Sequence, residues 1–193
     1  MSTTIPDSDM IEIRWHGRGG QGAVTAAKIL AEAAFRSGFA GVTSAPSFGA
    51  ERRGAPITAS SRLAHEQIRV LSQVTTPDIV VVLDDSLLAV ANATAGLKPG
   101  GMLIVNTTRS AEDLGVTGDV RLVTSDVTGA AQAVGLIVGG QPMVSTAILG
   151  AIARATGLIT MESLEGAIGH TFSPAAAKKN HDAAVIAYDC TRA

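Results

Sequence analysis

Ile79-Val80-Val81-Val82-Leu83-Asp84-Asp85 sets five branched apolar residues in a row and closes the run with two carboxylates. A strand with one wet face alternates apolar and polar residues. A run that is apolar on both faces is covered on both sides, which is the condition of a central strand in a parallel sheet. Parallel strands need crossover connections, so the flanking sequence should supply helices.

Upstream, Ile57–Leu63 and Ile68–Leu71 read as two strands joined by a polar turn, and Gly41–Ser44 as a short extended piece. Earlier still, Ile11–Trp15 alternates apolar and charged residues and ends at Gly17-Arg18-Gly19-Gly20-Gln21-Gly22. A helix follows from Ala23 to about Arg36, with Val24, Ala27, Leu30, Ala31 and Ala34 at helical spacing and Gly38 as its stop. Downstream, the pattern predicts a helix over Ser86–Ala95, a turn at Lys98-Pro99-Gly100-Gly101 and a strand Met102–Val105 ending at Asn106. A strand Val120–Thr124 and a helix near Val127–Val134 come next. From Gln141 onward the pattern is helical. Pro142 is expected in the first turn of a helix to Thr156 with Gly157 as its stop, then a helix over Met161–Ile168, then one from Ser173-Pro174 to about Tyr188. The expected fold is an open, mostly parallel α/β sheet flanked by helices, Rossmann-like, with a helical C-terminal segment.

A chain of 193 residues is expected to form a single domain over 1–193, with 1–9 as a flexible N-terminus. Apolar residues make up 46% and charged residues 17%, which favours a packed core over disorder. Aromatics are only 3%, so Ala, Val, Ile and Leu must fill that core. A net charge of −2 gives no reason to expect nucleic acid or an anionic membrane as partner. Cys190 is the single cysteine, so an internal disulfide or a four-cysteine cluster is excluded and an incidental thiol is the expected reading. The first ten residues lack the basic start and apolar run of a secretory signal, and no apolar stretch reaches the ~18 residues of a spanning helix. A cytoplasmic location is expected.

The turn at 17–22 has four glycines in six residues. Glycine reaches φ > 0 and lets a ligand approach the backbone, while free N–H groups at a helix head favour an anion. The spacing Gly17-x-Gly19-x-x-Gly22 formally fits the dinucleotide fingerprint. That fingerprint also needs an acid ~20 positions on, ending the second strand. Here the second strand ends in Ser44-Ala45-Pro46, with no acid, and no Gly-Lys-Ser/Thr follows the glycines for a nucleotide-hydrolysing loop. A tight turn with no ligand is the alternative.

Ser47, Glu51, Arg52, Arg53 and Gly54 form a second cluster. Loops at the carboxyl ends of strands meet at one crevice in an open sheet, which would bring two guanidiniums beside the glycine turn to hold phosphate. A contact with another protein, with Glu51 pairing an arginine, is the competing reading. Asn106 could bond a ligand in the same crevice or cap the next turn. Asp84 and Asp85 could work as an acid–base or metal pair, though N-capping is the expected use. His16, His65, His170 and His181 have no metal-ligand spacing; His16 precedes the glycines and could touch a ligand, though a neutral packing or hydrogen-bonding role is expected. No catalytic triad stands out, so the residues describe a binding crevice without a complete catalytic apparatus.

His16-Gly17-Arg18-Gly19-Gly20-Gln21-Gly22 with Ala26-Ala27-Lys28, and Phe48-Gly49-Ala50-Glu51-Arg52-Arg53-Gly54-Ala55-Pro56, resemble the gamma subunit of 2-oxoacid:acceptor oxidoreductases, the pyruvate:ferredoxin oxidoreductase family. The resemblance continues through Pro77–Asp84, Gly100-Gly101…Asn106, Leu149-Gly150-Ala151 and Lys179-Asn180, nearly the whole chain. It implies a subunit of an enzyme that oxidatively decarboxylates a 2-oxoacid to an acyl-CoA. By resemblance, alpha, beta and delta-type partner subunits carry thiamine diphosphate with Mg and the [4Fe-4S] clusters, and ferredoxin or a flavin/NAD subunit accepts the electrons. The gamma part is similar to a domain that helps bind coenzyme A and closes over the thiamine site. Carried over by position, Gly17, Arg18, Gly19, Gly20, Gln21, Gly22 and Gly54 frame the coenzyme A site. Ser47, Arg52, Arg53 and Asn106 supply side chains, and Glu51 orients an arginine. The alternatives are a purely structural assembly subunit and an independent NAD-dependent dehydrogenase. The 2-oxoacid, whether pyruvate, 2-oxoglutarate, branched-chain or aromatic, stays open.

Overall fold

The computed structural model describes residues 10–46, 53–70 and 72–193. The N-terminal segment, Leu71, Ser47, Glu51 and Arg52 lie outside the described residues. The chain runs β1 (Met10–Arg18), α1 (Ala23–Arg36), β2 (Gly41–Pro46), β3 (Pro56–Ala64), β4 (Ile79–Val82), α2 (Leu87–Val90), β5 (Gly101–Asn106), α3 (Ala111–Leu114), β6 (Val120–Ser125) and α4 (Val127–Ala133). A small hairpin follows, β7 (Ile137–Val138) and β8 (Gln141–Pro142), then α5 (Val144–Thr156), α6 (Met161–Thr171) and α7 (Pro174–Cys190).

Six strands form one sheet in the order β2-β3-β1-β4-β5-β6. β1, β4, β5 and β6 pair in parallel, and β3 runs against both β1 and β2. β3 alone is therefore reversed, and the other strands share one direction, as the alternation of strands and helices predicts. β4 is buried at every position, which is why its sequence is apolar throughout. One face of the sheet presents Ile11, Ile13, Trp15, Ile79, Val81, Met102, Ile104 and Val123 to α1 and the C-terminal helices. Trp15 is fully buried there, and its Nε1 donates to Ser61 Oγ at 3.0 Å, which satisfies its one polar atom. The other face of β4 and β5 packs Val80, Val82, Leu103 and Val105 against Leu87 and Ala93 in a smaller core.

α1 spans the predicted residues, closing at Ser37 with Gly38 at φ 102°. α5 ends at Gly157 in the left-handed region, as its stop signal predicts, and Pro174 occupies the first turn of α7. α7 is tied to α5 by the buried pair Thr146 and Asn180.

Three expectations are corrected. The helix expected over Ser86–Ala95 is only the short α2, because the carbonyls of Ala93 and Ala95 accept from Arg14 Nη2 and Asn92 turns to φ 43°. No strand forms over residues 68–70. This stretch belongs to a loop crossing the sheet near Gly41, where an added Cβ would meet Glu66 O at 2.0 Å, and Arg62 Nη2 holds it by Ser72 O at 2.7 Å. Pro142 lies in β8 rather than in a helix, because Gly139 and Gly140 (φ 57° and 79°) turn the chain into a hairpin. Among the described residues no helix is long and apolar enough to cross a membrane.

Candidate functional site

β1 runs directly into the glycine turn, and the turn runs directly into α1. Gln21 N donates to Arg18 O at 2.9 Å, and Gln21 Oε1 accepts from Arg18 N at 2.7 Å, which folds the turn on itself. Gly20, at φ 95°, has open space where a side chain would stand. Gly22 combines φ 80° with a contact in which an added Cβ would lie 2.8 Å from Ser145 Cβ, so the heads of α1 and α5 meet there. Gly17 is crowded by Leu83 and Ala23, with an added Cβ 3.2 and 3.3 Å away. These three glycines therefore serve different ends, and the turn at Gly20 is the one that faces free volume.

Loop residues 53–55 dock onto this turn. Gly54 N donates to Gly19 O at 3.0 Å, Gly19 N donates to Ala55 O at 2.9 Å, and Arg53 stands across from Gly19. The two motifs are thus joined by backbone, as the crevice argument expects. Ser47, Glu51 and Arg52 precede them in sequence and lie outside the described residues.

A cavity of about 1150 Å³ opens beside this junction. Arg18, Gly19, Gly20, Gln21, Arg53 and Gly54 line one side, while Gly17 and Gly22 stand behind the wall. The ends of the parallel strands form its floor through Asp84, Asp85, Asn106 and Thr107. Asp126, Thr128 and Gln132 close another side, and Val138, Gly139, Met143 and Val144 bring up the hairpin and the start of α5. An added Cβ on Gly139 would be 3.9 Å from Arg53 Nη2, so the hairpin tip approaches that guanidinium.

The electrostatics are divided. α1 and α5 both begin without a side-chain cap and without an acid in the first turn, leaving N–H groups and positive dipole ends uncompensated. Arg53 is exposed and has no ion-pair partner among the described residues. Arg18, by contrast, is bound to Asp84 at 2.9 Å. Burial pushes the Asp84 carboxyl up, but hydrogen bonds from Ser86 and Arg18 together with the Arg18 charge outweigh it and hold the group below its ordinary range. Asp85 accepts from Thr107 Oγ1 at 2.7 Å. Neither carboxylate caps α2, whose N-cap is Ser86, so the capping expected of the pair is corrected.

Asn106 is buried and bonded on all sides: Nδ2 donates to Leu83 O and to Thr128 Oγ1, each at 2.9 Å, and Oδ1 accepts from Thr128 N at 3.1 Å. It ties the floor of the cavity to the head of α4. His16 lies off the cavity wall and is 5% exposed. Its Nε2 accepts from Arg14 Nε at 3.1 Å, and burial, followed by the Arg14 charge, lowers its pKa to about 4. The ring is neutral, in keeping with the packing role expected of it. Among the described residues no group of His, Cys, Asp and Glu could hold a metal ion.

Sequence reasoning overlooked Asp126, Thr128 and the hairpin. Asp126 accepts from Gly129 N at 2.8 Å as a cap, and Asp-x-x at a strand end before a helical run signals such a cap. Gly139-Gly140 directly after Ile137-Val138 was the available hairpin signal.

Residues 12–190 match the family model for pyruvate ferredoxin/flavodoxin oxidoreductase. The chain is 52% identical over 187 residues to the pyruvate/ketoisovalerate oxidoreductases common subunit gamma of Thermococcus kodakarensis, covering 94% of this chain and 97% of that protein. The crystal structure of pyruvate oxidoreductase subunit PORC from Thermotoga maritima superposes with a TM-score of 0.82 at 34% identity, covering 96% of this chain and 98% of that one. At 18% identity and a TM-score of 0.73, the fold also recurs in the 2-oxoglutarate:ferredoxin oxidoreductase from Magnetococcus marinus, where it covers 93% of this chain and 30% of the other. The chain belongs to the pyruvate ferredoxin/flavodoxin oxidoreductase family, as a gamma subunit of a multi-subunit 2-oxoacid oxidoreductase.

Proposed function

We propose that this subunit supplies the coenzyme A-binding wall of its oxidoreductase and closes the active site that partner subunits complete. One observation carries the reading: the open glycine turn, the uncapped head of α5 and Arg53, which has no ion-pair partner among the described residues, all border one cavity. Backbone N–H groups and a guanidinium suit a pyrophosphate or a phosphomonoester, and coenzyme A carries both. The Magnetococcus marinus enzyme that shares the fold was solved with coenzyme A and succinyl-CoA bound, which supports the assignment. Thiamine diphosphate with Mg and the iron–sulfur clusters belong, on this reading, to alpha, beta and delta-type partners. One cysteine fits no cluster here. Ferredoxin, or a flavin/NAD subunit, would take the electrons from those partners. An NAD site is disfavoured by topology as well as by the missing acid. β3 separates β2 from β1, so the second strand does not end beside the glycine turn.

Calorimetry on the assembled complex tests the proposal. Arg53→Ala should raise the Kd for coenzyme A about tenfold, the effect of losing one charge-assisted phosphate contact, and NAD should not bind. An unchanged Kd would leave the cavity with an assembly role only.

A further inference from the structure

A carboxylate in the wall of an anion-binding cavity needs an explanation, because an unneutralised one repels the ligand it faces. Asp84 stands at the carboxyl end of β4, in that wall. Its Oδ2 accepts from Arg18 Nε at 2.9 Å and from Gln21 Nε2 at 3.3 Å. Its Oδ1 accepts from Ser86 N at 3.1 Å and from Ser86 Oγ. Arg18 commits each of its three nitrogens to the same network, with Nη2 donating to Ser86 Oγ at 2.7 Å and Nη1 to Gly54 O at 3.1 Å beside the Nε bond to Asp84. These bonds join three chain segments that are remote in sequence: the end of β4, the glycine turn and the Arg53–Gly54 loop.

We propose that Asp84 is the positioning residue of this site: through Arg18 and Gln21 it holds the glycine turn and the Arg53–Gly54 loop in one fixed relation. The assignment rests on the coenzyme A reading of the cavity. Arg18 then acts as a strut, since its donors point at Asp84, Ser86 and Gly54. The N–H groups of Arg18, Gly19 and Gln21 are bonded within the turn and to Ala55, so anion contact falls to Gly20, the head of α5 and Arg53. The charge of Asp84 is cancelled locally by Arg18, so the ligand does not meet it as a free carboxylate. An acid–base role would require a carboxylate with a free oxygen, and both oxygens are engaged.

The sign of one substitution separates a strut from a sequestered ligand-binding arginine. Asp84→Asn in the assembled complex keeps the side-chain volume and removes the charge. If Asp84 positions the turn, the Kd and KM for coenzyme A rise roughly tenfold while kcat at saturating coenzyme A is retained. If Arg18 were a phosphate ligand held back by Asp84, freeing it would tighten binding, and a lower or unchanged Kd overturns the proposal. Arg18→Ala combined with Asp84→Asn should weaken binding no more than the worse single change, because both break one network. Additive losses also overturn it. Should Asp84→Asn fail to assemble, Ser86→Ala removes only the hydroxyl bridging Asp84 and Arg18 and should raise the Kd about threefold, with no rise counting against the proposal. Arg53→Ala keeps the two readings apart. If it weakens coenzyme A binding and the Asp84 and Ser86 variants do not, only the positioning role fails, whereas no effect from Arg53→Ala removes the coenzyme A reading itself.

Discussion

His16 is a neutral imidazole held beside a guanidinium, and the pairing has a consequence for stability. Its Nε2 accepts from Arg14, so the ring proton sits on Nδ1, which is buried without a partner among the described residues. In the unfolded chain the same histidine titrates near 6.5, while in the folded chain burial and Arg14 lower it to about 4. Between those values the unfolded state binds a proton that the native state refuses. Stability is therefore full above pH ~6.5, falls as pH drops toward 4 by on the order of 3 kcal/mol, and takes no further loss from this group below that. His16→Gln should flatten this part of the profile, read as denaturant midpoints between pH 7 and 4.5. An unchanged slope in the variant would assign the acid sensitivity elsewhere. The same scale shows what sequence can and cannot say about a site. The glycine turn and Arg53 were legible because their chemistry is local: missing side chains and a bare cation. Asp84 was not, because Arg18 and Gln21 lie 66 and 63 positions away and only the fold brings them to it. Asn106 was placed correctly at a strand end facing the crevice, but Thr128, which holds both ends of its amide, is visible only in three dimensions.

At the scale of elements, helices bounded by their own chemistry were read well and elements set by tertiary contact were not. α1 and α5 end where glycine follows, and α7 begins at its proline, whereas α2 stops early because a guanidinium from β1 claims the carbonyls of Ala93 and Ala95 just beyond it. α5 has the most constrained surroundings of all. It is nearly all buried, between α1 and α7, and Gly150 lets the backbone of α7 come close enough that an added Cβ would stand 1.9 Å from Ala184 O. A backbone carbonyl inside a helix cannot swing away as a side-chain tip can. Gly150→Ala should therefore cost about 3 kcal/mol or more, a fall in Tm of about 10 °C for a chain of this size. Gly169→Ala in α6 is the matched control. It is exposed, nothing lies within 4 Å of its added Cβ, and helix propensity alone should make the change neutral or stabilising by up to ~1 kcal/mol. Equal effects from the two substitutions would mean that α5 and α7 do not pack through Gly150.

For the whole molecule, the common direction of five strands is what assembles the site. Their carboxyl ends deliver the glycine turn, Asp84, Asn106 and Asp126 to one edge, and reversed β3 returns the Arg53 loop to the same edge. That much follows from alternating strands and helices. The names of the ligand and of the partners do not, because a cavity that offers N–H groups and a guanidinium specifies phosphate but not what the phosphate is attached to. Family likeness supplied that step. If the proposed division of labour holds, the atoms that discriminate one 2-oxoacid from another lie on the thiamine-bearing partners, and those that hold coenzyme A lie partly here. Reconstituting this subunit with partners from oxidoreductases of different 2-oxoacid preference should then move the 2-oxoacid preference with the partners, while Arg53→Ala raises the KM for coenzyme A about tenfold in every combination. Steady-state kinetics on each reconstituted complex decides it. A 2-oxoacid preference that travels with this subunit, or an Arg53 effect confined to one set of partners, would place substrate selection in this chain after all.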